Sequence, residues 1–479
     1  MFDILGYWQY NVKNRNFIDA VNAEVGINME IKENFSGYVN YESKQFFCVV
    51  NNYIVKLFPH MNGDLAALDS NKPINDRWLF GFDEDNYEMA LLMRGGFKRS
   101  ILGHYTWFGS PIIIKSTANA VQYGLESFDA ISFSGGIINS VYNPKIAVKS
   151  ASYDQAVHNG ARNIEIKPFD AYSHSYPIFI DGETANIVYS ISQDGKAEDV
   201  STCELGALTS FIRIEFERSQ SIDKFIRYYD VIKRFISFLV GQHNITFETT
   251  LRKRNKDGLF YEIAICKISD GYSNYCKKSF YRVIPLNAFK ERISSAVLLF
   301  AGDQKPFLEF LPNDNRDSNR VSYTNVEDIC TSLEIEYGLK GYTLQVDNTT
   351  EGLKRAIVEA IRKFKETDSH PSEKLYDKAY GSVKNLSISN AEKIWRLYDR
   401  YKPLMYKIFE ADDPFTYKLT EKSVRNFVQL RNQITHSGVI AWEENAKVYR
   451  QLEALVYFAV FERIGIPAEE AYGVIHQLM

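Results

Sequence analysis

The hydrophobic pattern of the first part of the chain has the short period of β-strands. Up to about residue 210, runs of β-branched and aromatic residues alternate with polar positions, and turn clusters such as Ser134-Gly135-Gly136 separate them. Runs of this kind occupy residues 46–50, 53–57, 112–114 and 178–180. Many short strands at such spacing are typical of a β-sandwich or a β-barrel.

The pattern changes from strand to helix periodicity beyond residue 216. A strand-like run at 211–216 leads into residues 221–240, where apolar side chains recur every three or four positions. Gly241 predicts the end of that helix, because glycine readily adopts the left-handed conformation found at helix C-terminal caps.

A β-hairpin is predicted after this helix. Its strands are 246–251 and 259–268, and its turn lies at 255–258. Three basic residues, Arg252-Lys253-Arg254, precede the turn. Their charge fits either contacts with phosphate groups or a solvated hairpin tip.

The last third of the chain has helical periodicity. A polar, turn-rich stretch at 311–320 precedes it and predicts a boundary between residues 1–320 and residues 321–479. Pro403 is expected to kink or end one helix, or to open the next. The expected fold class is α+β multidomain, with a β-rich, sandwich-like N-terminal region followed by an all-helical region. Helices are predicted within 353–364, from Ser389 through 401, over 421–436, over 444–464 and from Pro467 onward.

Composition and charge narrow the class of protein. At roughly 100–200 residues per domain, the 479 residues suggest two to four domains, and 45% apolar residues suffice for ordinary cores. The net charge of -4 gives no basic field over the whole molecule, so nucleic-acid binding must use a local patch. Five scattered cysteines, no signal peptide and no apolar run of about 18 residues favour a cytoplasmic protein without a membrane partner.

The candidate chemistry lies in Arg431-Asn432-Gln433-Ile434-Thr435-His436, near the end of a predicted helix. Arg431 shares the apolar face of that helix, so it requires a partner, a cleft or an interface. A histidine that titrates near neutral pH can take the proton of an RNA 2′-hydroxyl or give one to the leaving oxygen. An arginine can bind the phosphate and stabilise the transition state, and Asn432 can hold the phosphate or orient His436.

The pattern alone leaves a purely structural alternative open. The same spacing occurs at Arg99 and His104, in a stretch with β-like flanks. At Arg431 the structural alternative is a buried arginine–carboxylate pair, with His436 only capping a helix C-terminus. On an ideal helix the two side chains lie about 140° apart and do not stack directly. The helix end near Gly438, or a helix-to-helix dimer, can bring such groups together.

Segment 430–438 resembles the R-N-x-x-x-H signature of HEPN domains, and it stands on a predicted helix before a long apolar one, as in that family. Segment 329–334 resembles the opening helix of those domains, which often ends in a Leu-Glu pair, and this assigns a supporting role to Glu334. Three further segments resemble Apea-like HEPN proteins, so the resemblance covers most of the chain: 128–139, 212–216 and 455–467.

The resemblance implies a four- to five-helix bundle that dimerises and cleaves RNA through catalytic Arg431 and His436, with Asn432 at the substrate and with no metal or cofactor. Proteins of this kind act in bacterial anti-phage defence, usually by abortive infection. The N-terminal region would sense a phage-derived trigger or restrain the nuclease, and tRNA is one candidate substrate. Many HEPN toxins have a tyrosine soon after the histidine. Here Ser437-Gly438-Val439 follow, so control by modification of that tyrosine is not expected.

Two other functions fit the same sequence. In the first, the N-terminal sandwich binds a ligand and the helical part only dimerises, which requires neither Arg431 nor His436. In the second, a carbohydrate-active enzyme on the sandwich uses acids such as those at 83–85 or 412–413, and its activity survives loss of His436. Acids spaced this tightly more often mark solvated loops. A metal site has no local support, since three histidines are isolated along the chain: His158, His174 and His243.

Overall fold

The structure is a computed structural model, and it describes eighteen stretches of the chain. These are residues 34–41, 44–51, 54–59, 78–92, 96–99, 105–108, 112–117, 124–150, 164–166, 172–193, 208–268, 283–313, 321–339, 348–367, 372–384, 389–409, 418–437 and 442–479.

The chain divides into two compact units, Met1–Ala301 and Gly302–Met479. In the described residues, the first unit contains an antiparallel sheet region and three helices, and the second unit is helical. This arrangement confirms the α+β multidomain fold class that the two periodicities predict.

The division lies earlier than the boundary at 320/321 that the sequence suggested. Leu308 and Leu311 are buried, although polar residues follow them directly. Between them, the carbonyl oxygen of Phe310 accepts hydrogen bonds from Asn325 at 3.1 Å and from the hydroxyl of Tyr449 at 2.5 Å. These apolar and backbone contacts place the stretch in the helical unit.

The sheet unit contains sixteen described strands. They are β1 (Asn34–Tyr41), β2 (Lys44–Asn51), β3 (Ile54–Pro59), β4 (Trp78–Asp83), β5 (Glu88–Leu92), β6 (Gly96–Arg99), β7 (Tyr105–Phe108), β8 (Ile112–Ser116), β9 (Ser127–Ser134), β10 (Val148–Ser150), β11 (Ile164–Ile166), β12 (His174–Ile180), β13 (Glu183–Gln193), β14 (Leu208–Ser221), β15 (Glu248–Arg254) and β16 (Phe260–Ile268).

Fourteen of the described strands form one sheet, in the order β12-β13-β14-β9-β15-β16-β8-β5-β4-β1-β2-β3-β7-β6, and β10 pairs with β11 separately. The predicted strands therefore exist, and hydrogen bonds join them in one continuous order. The pairing depends on contacts between distant segments. For example, β9 lies between β14 and β15, and local periodicity carries no information on such partners.

The pattern of burial along the strands shows which side chains form the core of the sheet unit. In β1 to β4, buried and more exposed residues alternate, as they do when one face of an antiparallel sheet meets the core. The residues of β8 are buried on both faces. One hydrophobic core cluster collects the inward side chains: Phe35, Val39, Phe46, Cys48, Val50, Val55, Leu57, Leu79, Met89, Leu91 and Ile113.

Three helices belong to the sheet unit: α1 (Gly136–Val141), α2 (Phe225–Val240) and α3 (Ile293–Ala301). Helix α2 is the helix predicted at 221–240. It ends as expected, because Gly241 adopts φ 67° and ψ 39° and its N–H donates to the carbonyl of Ser237. The ring of Tyr229 on α2 lies 6.2 Å from that of Phe133 on β9, so α2 packs on that face of the sheet.

The helical unit contains seven described helices. They are α4 (Tyr323–Leu339), α5 (Asn348–Thr367), α6 (Glu373–Lys384), α7 (Asn390–Phe409), α8 (Glu421–Ser437), α9 (Trp442–Ile464) and α10 (Ala468–Leu478). The backbone N–H of Glu392 donates to Ser389, which confirms the predicted cap of α7, and Pro403 lies inside that helix. No helix in the described stretches combines the length and apolar character needed to cross a lipid bilayer.

Five of these helices, α4, α7, α8, α9 and α10, pack against one another. Fully buried side chains from several helices meet in the centre of this bundle and form its core: Ile329, Leu333, Ile394, Leu397, Val424, Phe427, Leu452, Leu455, Val456 and Val460. The bundle thus places α4 and α8 side by side, and these are the helices that carry the candidate site.

The predicted apolar stripe within 353–364 lies on α5 but is not buried. Leu353 and Phe364 are exposed, and α5 packs with α6. Periodicity therefore identified the helix correctly, but it did not show whether the apolar face meets a core.

Candidate functional site

Helix α8 sets the position of Arg431. The predicted helix at 421–436 is confirmed as Glu421–Ser437. Val424 and Phe427 are fully buried in the bundle, and Arg431 follows Phe427 by about one turn on the same side of the helix. The inward position expected for Arg431 is therefore observed, with 27% of its side chain exposed.

Arg431 forms an ion pair with Glu334 of α4. Its Nη1 donates to Oε1 of Glu334 at 2.8 Å, and 25% of the Glu334 side chain is exposed. A largely buried guanidinium needs such a carboxylate, because an uncompensated buried charge costs several kcal/mol. The pair connects the two helices, and 27% of the Arg431 side chain stays exposed.

Cys330 lies one turn before Glu334 on α4 and is fully buried. Burial raises the pKa of the Cys330 thiol to about 12, although the positive charge of Arg431 acts in the opposite direction. Burial therefore favours the protonated thiol at this position.

A second charged pair on α4 has a different role. Glu336 is fully buried and lies 2.6 Å from Nη1 of Arg463 on α9, and Arg463 also donates to the carbonyl of Gln304. Glu334 and Glu336 are two residues apart, about 200° around the helix, so they point to opposite sides of α4. Glu336 thus joins α4 to α9 in the interior, whereas Glu334 is near solvent.

The other residues of the predicted site are placed only by their backbone. Asn432 and His436 lie on α8, which continues without a break to Ser437. Their side chains fall outside the described part of the chain, as does Gly438. His436 is five positions after Arg431, which corresponds to about 140° around the helix and about 7.5 Å along it.

The second match to the arginine–histidine spacing begins at the end of a strand. Arg99 is the last residue of strand β6, and His104 lies outside the described residues. Among the two matches, only the one at Arg431 has its arginine on a helix of the bundle.

The basic residues of the hairpin are engaged within the sheet unit. Strand β15 extends to Arg254, so the three residues lie in the strand rather than at the tip. Nζ of Lys253 donates to Ser127 and Ser219, both at 2.9 Å, and the backbone N–H of Arg254 donates to Asp129 at 2.8 Å. Lys253 and Arg254 thus stabilise the fold locally.

The acids at 83–85 stabilise a turn. Asp83 is buried 2.5 Å from Nζ of Lys115, and it accepts hydrogen bonds from the backbone of Asp85 and Tyr87. Glu84 accepts hydrogen bonds from Ser36. The acids at 412–413 lie outside the described residues. Within the described residues, no group of three or more His, Cys, Asp or Glu side chains is arranged to hold a metal ion.

The chain matches no protein-family model, no curated protein and no solved structure. The chemistry that the site can perform follows from its residues. A guanidinium that is fixed by a carboxylate and partly open to solvent can bind a phosphate group. A histidine on the same helix can supply proton transfer.

Proposed function

We propose that the chain is a metal-independent endoribonuclease of the HEPN type, with Arg431 and His436 as its catalytic residues. The 2′-hydroxyl of the RNA attacks the adjacent phosphorus, and the 5′-oxygen of the next nucleotide leaves. His436 takes the proton of the attacking 2′-hydroxyl and gives a proton to the leaving 5′-oxygen. Arg431 stabilises the charge on the phosphorane oxygens. The products are a 2′,3′-cyclic phosphate and a 5′-hydroxyl.

The observation that supports this proposal is the setting of Arg431. Arginine is rarely buried without a role for its charge. Here Glu334 holds the guanidinium at 2.8 Å, and 27% of the Arg431 side chain is exposed. A fixed guanidinium binds phosphate with less loss of side-chain freedom than a mobile one. Glu334 is then a positioning residue for Arg431. Asn432, the next residue along α8, can contact the same RNA substrate.

The helical geometry favours a site shared between two subunits. An uninterrupted α8 separates Arg431 and His436 by about 140°, so one helix does not direct both groups at one phosphate. If two copies of α8 pair about a two-fold axis, Arg431 of one subunit can face His436 of the other. We therefore propose a homodimer as the active form.

Glu334→Gln is expected to lower the rate of RNA cleavage about tenfold, because the neutral amide keeps the size of the side chain but fixes the guanidinium of Arg431 less firmly. Arg431→Lys is expected to lower it more strongly, since an ammonium cannot bind phosphate bidentately. Single-turnover cleavage rates and melting temperatures of both variants provide the measurement. Loss of activity in proportion to loss of folded protein would indicate that the pair is only structural.

Mixing inactive subunits tests the shared site. When Arg431→Ala and His436→Ala chains are co-expressed with different tags, each mixed dimer contains one intact site of two, so the purified heterodimer should have about half of wild-type activity. Cleavage by the doubly purified heterodimer is the measurement. An inactive heterodimer would place both groups of a site on one chain.

A non-catalytic dimerisation module is the second candidate function. The observed Arg431–Glu334 pair supports this candidate as much as it supports the catalytic one, because a part-buried ion pair between two helices can also stabilise the bundle. This candidate predicts that Glu334→Gln and Arg431→Lys change dimer stability and that neither wild type nor variant cleaves RNA.

The biological role that we propose is anti-phage defence by abortive infection. A ribonuclease that cleaves host RNA, for example tRNA, stops growth of the infected cell. Such an enzyme needs restraint until infection, and we assign this control to the sheet unit, with a phage-derived molecule as the trigger. The test is to express wild type and His436→Ala in cells with and without phage and to measure growth. Wild type should be toxic, and His436→Ala should not.

A further inference from the structure

One face of the sheet unit gathers polar side chains from three neighbouring strands. Ser132 on β9 is paired in register with Arg213 on β14 and with Thr250 on β15. One step along, Ala130 is paired with both Glu215 and Arg252. Residues directly opposite each other in antiparallel strands have side chains on the same face. The register thus brings Ser132, Arg213, Thr250 and Arg252 together, and we call these four residues the sheet-face cluster.

This face is the one opposite helix α2. Phe133, the neighbour of Ser132, contacts Tyr229 of α2. Successive residues of a strand point to opposite faces, so Ser132 and the sheet-face cluster point away from α2.

Three polar atoms of the cluster are buried without a hydrogen-bond partner: Oγ of Ser132, Oγ1 of Thr250 and Nε of Arg252. The exposed fraction of Ser132 is only 6%. Nearly all buried polar atoms in proteins are hydrogen-bonded, and groups that are not destabilise the fold unless a ligand or solvent satisfies them. Three such atoms on adjacent strands of one face indicate a binding site for a polar ligand.

The charges around the cluster favour an anion. Arg213 lies over the ring of Phe260 with its Cζ 5.0 Å from the centroid, and Arg254 lies over the same ring at 4.8 Å. Arg252 is 3.7 Å from Glu262, which is longer than a hydrogen bond. Burial and the neighbouring Arg213 lower the pKa of Arg252, as expected for a cation that is short of compensating negative charge.

Three carboxylates, Glu215, Glu248 and Glu262, lie on this face together with the three arginines. Arg213 is held by Glu215 at 2.5 Å, and Arg252 has Glu262 as its more distant partner. Nε of Arg252 and the hydroxyls of Ser132 and Thr250 nevertheless remain without a hydrogen-bond partner. A phosphate group has enough oxygens to accept from a guanidinium and from two hydroxyl groups at once.

We propose that the sheet-face cluster is a binding site for a small molecule that carries a phosphate group. Arg252 and Arg213 bind the phosphate oxygens, and the hydroxyls of Ser132 and Thr250 donate to them. The ring of Phe260 borders the site, with Arg213 and Arg254 lying over it. The proposal does not depend on RNA cleavage, because its observations all lie in the sheet unit.

The test uses the full-length protein, with inorganic phosphate and AMP as separate probes and calorimetric affinity and melting temperature as readouts. We expect both probes to bind wild type and to raise its melting temperature. Arg252→Gln should weaken binding at least about tenfold, because it removes a charged donor. Lys256→Gln, which removes an exposed charge from the same hairpin, serves as the matched control and should bind like wild type.

Thr250→Val separates a ligand site from a structural cluster. The substitution removes an unpaired buried hydroxyl at nearly constant volume, so the ligand-free protein should melt at the same or a higher temperature, while phosphate affinity falls about tenfold. A merely structural hydroxyl would not produce these opposite effects. No binding of either probe to wild type, or equal binding by wild type and Arg252→Gln, would overturn the proposal. Tighter binding of AMP than of phosphate would support contact with the nucleoside as well.

Discussion

Replacing His436 with alanine is expected to reduce RNA cleavage by at least about a hundredfold, because general acid–base catalysis contributes roughly 10²–10⁴ to such rates. The fold should remain intact, since His436 lies in the last turn of α8. The measurement is the initial rate of cleavage of total RNA and of tRNA, together with circular dichroism and the melting temperature of the purified variant.

His476→Ala is the matched control for this prediction. His476 is an exposed histidine on α10, where its ring contacts that of Tyr472. Its loss should leave cleavage unchanged, so an effect confined to His436→Ala would be specific to position 436. Cleavage by His436→Ala at the wild-type rate would contradict the catalytic assignment, and the proton transfers would then have to be made by another group.

Arg463→Ala is expected to reduce the free energy of unfolding of the helical unit by about 3–5 kcal/mol. The substitution leaves Glu336 buried without the cation that lies 2.6 Å from it, and it also removes a donor from the carbonyl of Gln304. Arg463 is 11% exposed and Glu336 is 0% exposed, so water compensates little of the lost charge. Urea unfolding followed by helical ellipticity measures the change.

Two further variants make this prediction specific. Arg425→Ala breaks an exposed i,i+4 pair with Glu421 on α8 and should change stability by no more than about 0.5 kcal/mol. Replacing Arg463 and Glu336 together by methionine removes both charges and should recover most of the loss, because no uncompensated charge stays buried. Equal stability of Arg463→Ala and wild type would show that the pair does not stabilise the bundle.

Elements with a strong local pattern could be predicted from the sequence, and elements that depend on distant contacts could not. Helix α2 has both an apolar periodicity and the glycine that its left-handed cap requires, and it forms where expected. The strands were also found, but their order in one long sheet depends on pairings such as β9 with β14. The apolar stripe of α5 has the same periodicity as a buried helix, yet Phe364 is exposed.

The candidate site was predictable to a similar extent. The position of Arg431 on the apolar side of its helix follows from its spacing to Val424, and the structure confirms it. No local pattern identifies Glu334 as its partner, since 97 residues separate the two, and only a family resemblance pointed to that position. The sheet-face cluster was missed altogether, because Ser132, Arg213 and Thr250 meet only through strand register.

The chemistry of the RNA ends tests the central claim most directly. Purified full-length protein is incubated with tRNA and total RNA in EDTA, beside the His436→Ala variant, and the fragment ends are identified by mass spectrometry and by phosphatase and ligase reactions. The account predicts cleavage by wild type alone, with 2′,3′-cyclic phosphate or 3′-phosphate ends and 5′-hydroxyl ends. Fragments with 3′-hydroxyl ends, or equal cleavage by both proteins, would contradict it.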